Sequence, residues 1–387
     1  MRLLFCSHNN ELEGAPKQLM QIANMLKNHG KHECVVLAPK KGPLKESGLA
    51  QVTIRSLYKN PTSKMARNIL KKLKPDLILI NTILGYKLIQ EFNAVPDHPP
   101  IVWLIHESER TFYFDKYKDL TPQIFATPTK VVFPCKTTQK IYEDLDTGNF
   151  QSIYNGIDAM SFATLSSGSD KHALRVKHNL PTDALIVTSV GSFCFRKSQI
   201  ELIDAGIEFL TKVNNPEVHF LLVGKMAPAF APHIDSALKR ADELKLKERF
   251  HIRPETTEIK EIYALSDIAI CNSYIEAFPL VTLEAMASGL PVIATEIYGI
   301  SEQLEQRKTG MLVLPGNKRE LIDAIETLIS DREFAVELGR NAQRYVLENF
   351  TKEKQYQKYE ALINNVTKSL SLPLSPASRS QPPLVHS

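Results

Sequence analysis

The sequence of 387 residues predicts an α/β protein of two domains, each a parallel sheet wrapped by helices. Three observations lead there. Short apolar runs alternate with helical stretches along most of the chain. The chain is longer than one hydrophobic core usually serves. Finally, Ala163–Asp183 is rich in Ser, Thr, Gly and charge, and it separates one βα series from another, as an inter-domain linker would.

Taken in order, Arg2–Cys6 reads as the first strand, followed by the loop Ser7–Ala15. Pro16–Asn28 reads as a helix, because Leu19, Ile22, Ala23 and Leu26 fall on one face and Gly30 can end it. Glu33–Ala38, Asp76–Asn81, Ile101–His106 and Lys130–Phe133 are short apolar strands of the same series. The second series consists of Ala184–Gly191, Val218–Gly224, Phe250–Ile252, Ile268–Cys271 and Pro291–Thr295. The domains so defined span residues 1–170 and 183–350. A final helix over 351–366 is expected to pack back towards the first domain. The tail, 367–387, holds six Ser and four Pro and is expected to be disordered. No tandem repeat is visible, and the two halves read as one type of fold used twice.

Five scattered cysteines never form a C-x-x-C pair, so they offer no metal or disulfide framework and suit a reducing cytoplasm. The strand LLFC near Met1 is too short for a signal sequence, and no run approaches the ~18 apolar residues of a membrane span. A cytoplasmic protein is expected. Net charge is +4, but residues 1–167 carry 21 basic and 15 acidic residues, and the remainder is net negative. Lys59, Lys64, Arg67, Lys71, Lys72 and Lys74 concentrate in one helical stretch. Such a face can dock on anionic lipid or an anionic acceptor, and a solvated helix surface leaves the same pattern. Nucleic acid is not expected as a partner, since there is no zinc-finger spacing, RNP motif or aromatic platform among these lysines.

Glu276–Thr295, reading EAFPLVTLEAMASGLPVIAT, is the most informative stretch. Pro279 suits the first residue of a helix, Gly289 a left-handed stop, and Pro291 prevents resumption. One acid, Glu276, then precedes the helix, and the other, Glu284, lies about a turn inside it. Free N–H groups and the positive dipole end suit an anion such as phosphate, while ionised carboxylates accept from sugar or ribose hydroxyls. An exposed Glu beside a solvated helix face would read the same way. Two further segments bear on chemistry. VGSFCFRKSQ (Val190–Gln199) closes the strand that opens the second domain, where ligands of parallel sheets gather, and Arg196 and Lys197 there could hold a diphosphate. LEGAP (Leu12–Pro16) places Gly14 before the first helix, where backbone can approach a ligand closely. Neither a G-x-G-x-x-G fingerprint nor a Walker A loop is present.

The order of these segments resembles the family 4 retaining glycosyltransferases, whose fold is GT-B, two Rossmann-like domains facing a central cleft. The matching segments are LEGAP, IHE (Ile105–Glu107), IYNGID (Ile153–Asp158), VGSFCFRK, FLLVGK (Phe220–Lys225), EAFPLVTLEAMASGLPVIAT and YGISEQLEQRKTGMLVLPGN (Tyr298–Asn317). The resemblance covers about residues 1–365. It implies that Glu276 contacts hydroxyls of the transferred sugar and that Glu284 binds the ribose. It also implies that the amides of Leu280 and Val281 face the diphosphate, that Lys197 is the phosphate-binding lysine, and that His106 reaches across the cleft to the donor sugar. The family's arginine after the strand-end glycine is Ser192 here, with Arg196 as the substitute. The first glycine of its glycine pair is Glu13, and Gly14 remains.

The implied activity is transfer of a hexose-type sugar, with retention, from a UDP- or GDP-linked donor to a hydroxyl of a glycan, a lipid-linked glycan or a small molecule, in polysaccharide or glycoconjugate biosynthesis. No cofactor and no metal are expected. The sole Asp-x-Asp, Asp144-Leu145-Asp146, lies in a helical pattern far from the donor motifs and reads as a solvated helix end. A nucleotide-sugar epimerase of the same architecture, a phosphorylase or a non-catalytic nucleotide-sugar-binding protein remain as other readings. The donor's base and sugar, the acceptor and the oligomeric state stay open.

Overall fold

The structure is a computed structural model that describes residues 1–11, 14–40, 42, 50–55, 57–212 and 217–368. Glu13 and all of the tail beyond residue 368 lie outside the described residues. Two parallel sheets organise the chain. The first runs in the order β3-β2-β1-β4-β5-β6-β7, and its strands are β1 (Arg2–Cys6), β2 (Glu33–Ala38), β3 (Ala50–Thr53), β4 (Leu77–Asn81), β5 (Ile101–Leu104), β6 (Lys130–Phe133) and β7 (Phe150–Ser152). The second runs β10-β9-β8-β11-β12-β13, from β8 (Leu185–Val190), β9 (Val218–Val223), β10 (Phe250–Arg253), β11 (Ile268–Cys271), β12 (Val292–Thr295) and β13 (Met311–Val313). The α/β class with two Rossmann-like domains is what the sequence predicts.

Strand β1 shows why these runs are apolar throughout. Leu4 and Cys6 pack into the layer of Ile78, Ile80 and Trp103, while Leu3 and Phe5 face the layer of Leu19, Ile22 and Leu26. Helices cover both faces, so successive side chains find apolar partners on opposite sides. The final helix, Lys352–Lys368, belongs to the second of these layers. Its Tyr359, Leu362, Ile363 and Val366 pack with Leu3 and Phe5, and Glu360 pairs with His32 at 3.1 Å.

Several expectations are corrected. Most of the expected linker Ala163–Asp183 is helical, in Ala159–Gly168 and Lys171–Lys177. Tertiary contacts override its polar composition. Phe162 packs among Tyr263 and Leu283, and Arg175 is buried on Asp267 at 2.6 Å. Pro279 is not the first helical residue. It is the extended N-cap (ψ 132°) of the helix Leu280–Ala287. After the first helix, Gly14–Asn28, the left-handed residue is Lys31 (φ 54°), not Gly30. Three strands, β3, β7 and β13, were not expected from the sequence. All are edge strands of three or four residues, too short for a period to register.

Strand order reverses beside β1 in the first sheet and beside β8 in the second, and both reversals open at the carboxyl ends of the strands. Side chains following β1, β4 and β5 therefore gather on one wall, and those following β8 and β11 on another. These walls face each other across one cleft.

Candidate active site

The cleft encloses about 620 Å³, and every site residue named from the sequence lines it: Gly14, His106, Arg196, Lys197, Glu276, Leu280, Val281 and Glu284. The helix of basic residues does not contribute to that lining. Lys59, Lys64, Arg67, Lys71, Lys72 and Lys74 are exposed on and around the helix Ser63–Leu73.

On the second-domain wall, the loop after β8 is built by close backbone approach. A Cβ at Gly224 would lie 1.9 Å from the Gly191 carbonyl oxygen, so only glycine lets these two strand ends meet. The loop then tightens into a short 3-10 turn, Phe195–Lys197, ended by Ser198 with φ 58°. Asn272 at the end of β11 donates to the Ser198 carbonyl at 2.7 Å, and Gln199 donates to the Ser192 carbonyl at 2.9 Å. Both bonds hold Lys197 against the neighbouring loop. There its ammonium forms an ion pair with Glu276, and both side chains are nearly buried. Arg196 reaches the same carboxylate only at 3.6 Å and is half exposed.

Glu276 sits in the loop joining β11 to the helix Leu280–Ala287. Thr295 pins that loop by donating to the Ser273 carbonyl at 2.6 Å, and the Ser273 hydroxyl donates to Glu276 at 3.4 Å. No side chain caps the helix, so its first amides, at Leu280 and Val281, stand at the cleft wall with the positive dipole end. Glu284 lies one turn further in. The Tyr263 hydroxyl meets both the Val281 carbonyl (3.2 Å) and Glu284 (3.3 Å). Burial raises the Glu284 pKa above the usual carboxylate value, opposed by the charge of Lys17 across the cleft and by the Tyr263 hydrogen bond.

On the first-domain wall, His106 follows β5. Its Nε2–H donates to Asn81 Oδ1 at 2.8 Å, and Asn81 Nδ2 donates to the Ala15 carbonyl at 3.1 Å, which fixes the amide orientation. Burial, with His8 nearby, pushes the His106 pKa down to about 4. At neutral pH the ring is therefore uncharged, with Nε2 protonated and Nδ1 an acceptor. Held this way, the neutral ring offers Nδ1 as a hydrogen-bond acceptor.

Three further cleft residues, given no role from the sequence, stand out. Glu107 accepts from the amides of Ile83 (3.0 Å) and His106 (2.9 Å), and burial raises its pKa to about 7 despite those bonds. Thr82 follows β4 with φ 70° and ψ 159°, a backbone region almost reserved for glycine, and its buried hydroxyl has no partner. The Trp103 indole donates to its carbonyl at 2.8 Å and helps hold that geometry. Lys17, in the first turn of Gly14–Asn28, is the third. Thr82 and Lys17 carry no local sequence signal and Glu107 only its place in IHE, because their settings depend on elements distant in the chain.

Elsewhere, Asp144 of the Asp-x-Asp pairs with Arg110, and Asp146 accepts from the Gly148 amide at 2.8 Å. Among the described residues, His178, Glu258 and Glu261 have ligand atoms within 4.8 Å of one another, close enough to hold a metal. The Lys177 ammonium already donates to both carboxylates, at 2.9 and 2.6 Å, and the group does not line the cleft.

Comparison with known proteins adds to this geometry. Residues 170–345 match the family described as glycosyl transferases group 1, and residues 1–144 match glycosyl-transferase family 4. The chain is 28% identical over 197 residues to N-acetyl-alpha-D-glucosaminyl L-malate synthase of Bacillus anthracis, covering 51% of this chain and 50% of that protein. It is 30% identical over 175 residues to D-inositol 3-phosphate glycosyltransferase of Nocardia farcinica, covering 45% and 39%. The matches thus span half or less of these relatives' length. Among solved structures, HepE of Anabaena in complex with UDP-glucose superposes with a TM-score of 0.79 at 21% identity, covering 96% of this chain and 99% of that one. Sucrose-phosphate synthase of Thermosynechococcus elongatus gives 0.80 at 20% identity, covering 95% and 99%. At such identities the likeness is one of fold, and that fold is GT-B.

Proposed function

The chain belongs to the glycosyltransferases, family 4 by its first half and group 1 by its second, and we propose that it moves a hexose-type sugar, with retention, from a nucleoside diphosphate to an acceptor hydroxyl. One observation carries the reading. The Lys197–Glu276 ion pair stands beside the uncapped amides of Leu280 and Val281 and opposite a neutral His106. That wall offers positive charge to a diphosphate and, a few atoms away, a carboxylate to sugar hydroxyls. The UDP-glucose bound by HepE supports a nucleotide sugar as the donor class.

The chemistry follows from charge. Cleaving the anomeric C–O bond leaves negative charge on the departing diphosphate and positive charge on the sugar carbon. Lys197, Arg196 and the two amides stabilise the first, and Glu276 orients the hydroxyls of the second. The His106 ring, held through Asn81, approaches the sugar from the facing wall. Retention follows if the acceptor attacks on the face the diphosphate leaves, with the departing phosphate taking the acceptor proton. Glu284 holds the ribose. No metal is needed where lysine, arginine and a helix N-terminus supply the positive charge. The acceptor, a glycan, a lipid-linked glycan or a small molecule, enters from the first-domain wall.

A thermal-shift screen with UDP, GDP and their hexose conjugates tests the donor, because a ligand that binds the native state raises its melting temperature. Released nucleoside diphosphate, and a product whose formation requires an added acceptor, test transfer. Conversion of the donor sugar with no acceptor present would favour an epimerase, and binding without turnover a non-catalytic protein.

A further inference from the structure

The loop that carries Glu276 is gripped from both domains. The carbonyl of its neighbour Ala277 accepts from the Gly299 amide at 2.9 Å and from the first-domain thiol of Cys135 at 3.3 Å. Phe278 stacks on first-domain Tyr154 with centroids 5.3 Å apart. Gly299 precedes the short helix Ile300–Gln303, and a Cβ there would lie 2.0 Å from the Ala277 oxygen, so the approach admits only glycine.

From that short helix Glu302 extends into the first domain. Its carboxylate accepts from the Lys136 amide at 3.2 Å, the Thr137 amide at 2.6 Å, the Thr137 hydroxyl at 2.5 Å and the Tyr154 hydroxyl at 2.8 Å. Lys136 and Thr137 open the helix Lys136–Ile141, whose first amides need acceptors. Burial resists ionisation of Glu302, yet the bonds from Thr137 and Tyr154 outweigh it and hold its pKa below the usual value.

We propose that Glu302 is a positioning residue for sugar transfer, pinning the first domain to Ile300–Gln303 and so, through Gly299 and Ala277, setting Glu276 against the wall that bears His106. This rests on the reading of Glu276 as the carboxylate that holds the donor sugar. The backbone that carries Lys197 is held by Asn272 through the Ser198 carbonyl, and Glu284 is met by Tyr263, both within the second domain and without a contact to Glu302. Loss of Glu302 therefore separates two quantities that a general structural defect would lower together.

The test compares the full chain with Glu302→Ala, Glu302→Gln and Tyr154→Phe. Turnover of the nucleotide sugar is read as released nucleoside diphosphate, and affinity is measured with free UDP or GDP, whichever raises the melting temperature. Glu302→Ala is expected to lower kcat at least about tenfold while the affinity for free nucleotide stays within about twofold. Glu302→Gln and Tyr154→Phe, which remove part of the network, are expected to fall between. Small-angle scattering should show a broader spread of inter-domain distances for Glu302→Ala. Unchanged kcat in a folded Glu302→Ala protein, or equal losses in kcat and nucleotide affinity, overturns the proposal. Should Glu302→Ala not fold, Tyr154→Phe and Thr137→Val decide, since wild-type kcat in both has the same force. Absence of turnover by the wild-type chain with every nucleotide sugar refutes the transferase reading instead, and scattering still reports on the contact.

Discussion

Lys197 and Glu276, 79 residues apart in the chain, meet as an ion pair at the floor of the cleft. The loops that bring them together are tied by Asn272 and Thr295, so the pair is held before any ligand arrives. On the proposed function, donor binding is expected to redistribute these partners, the lysine turning to phosphate and the carboxylate to sugar hydroxyls.

Replacing Lys197 with Ala is expected to weaken donor binding and slow turnover by at least about tenfold, because a charge-assisted bond to phosphate is lost in a partly desolvated site. Arg196→Ala should cost less, since Arg196 is half exposed and 3.6 Å from Glu276. Steady-state kinetics on both variants checks this, and wild-type values for Lys197→Ala would remove it from the donor site.

The two carboxylates should separate. Glu276→Ala is expected to reduce mainly kcat. Glu284→Ala is expected to weaken the nucleotide, equally with and without its sugar, by about tenfold. Calorimetry with free UDP or GDP measures the second effect. A Glu284 variant that binds the free nucleotide as tightly as wild type would refute the ribose assignment.

Stability should respond to pH through opposing groups. His106 and His219 both have pKa values lowered by burial to about 4, with His8 adding to the first and His251 and Arg249 to the second. The unfolded chain takes up those protons near pH 6.5 while the folded chain refuses them, so their contribution falls as pH drops from 6.5 to 4. Glu107, raised by burial to about 7, acts the other way, and its contribution is lost as pH rises from about 4.5 to 7. Each is worth at most about 3 kcal/mol. Glu107→Gln should therefore make the melting temperature climb more steeply with pH between 5 and 6.5 than in the wild type, a difference calorimetry resolves.

Thr82 offers a test of backbone strain. Thr82→Ala and Thr82→Gly delete the same hydroxyl, but only glycine accepts φ 70° and ψ 159° without penalty. The glycine variant is expected to be more stable than the alanine variant by about 1 kcal/mol, despite its larger unfolded-state entropy. A glycine variant less stable than the alanine variant, by about 0.4–1 kcal/mol, would mean that the position carries no strain.

Peripheral attachment to the inner face of a membrane is a further expectation. No helix among the described residues is long and apolar enough to cross one, but the basic residues of 59–74 are exposed and do not line the cleft. The protein should float with anionic vesicles at low salt and be released as salt rises, because such attraction is screened over about 10 Å at 0.1 M. Protein left wholly at the bottom would reject membrane attachment and leave the transferase reading standing.

Local sequence was enough to place ten of the thirteen strands among the described residues, since β1, β4, β8 and their neighbours are runs of apolar side chains covered on both faces. It also located Gly289, whose φ of 77° ends the helix after Ala287 where a side chain would be strained. The two acids flanking Pro279, and the Arg196-Lys197 step, were legible because composition and spacing carry their own geometry. Edge strands of three or four residues left no period to read, and the helices of 159–177 owe their form to Phe162 and Arg175 finding partners in the second domain. Tertiary structure alone decided the rest. The neutral state of His106 depends on burial, the raised pKa of Glu107 on burial that outweighs two amide bonds, and the setting of Glu302 on residues some 150 positions earlier. Desolvation and cross-chain hydrogen bonding are properties of the packed fold, and no window of sequence contains them.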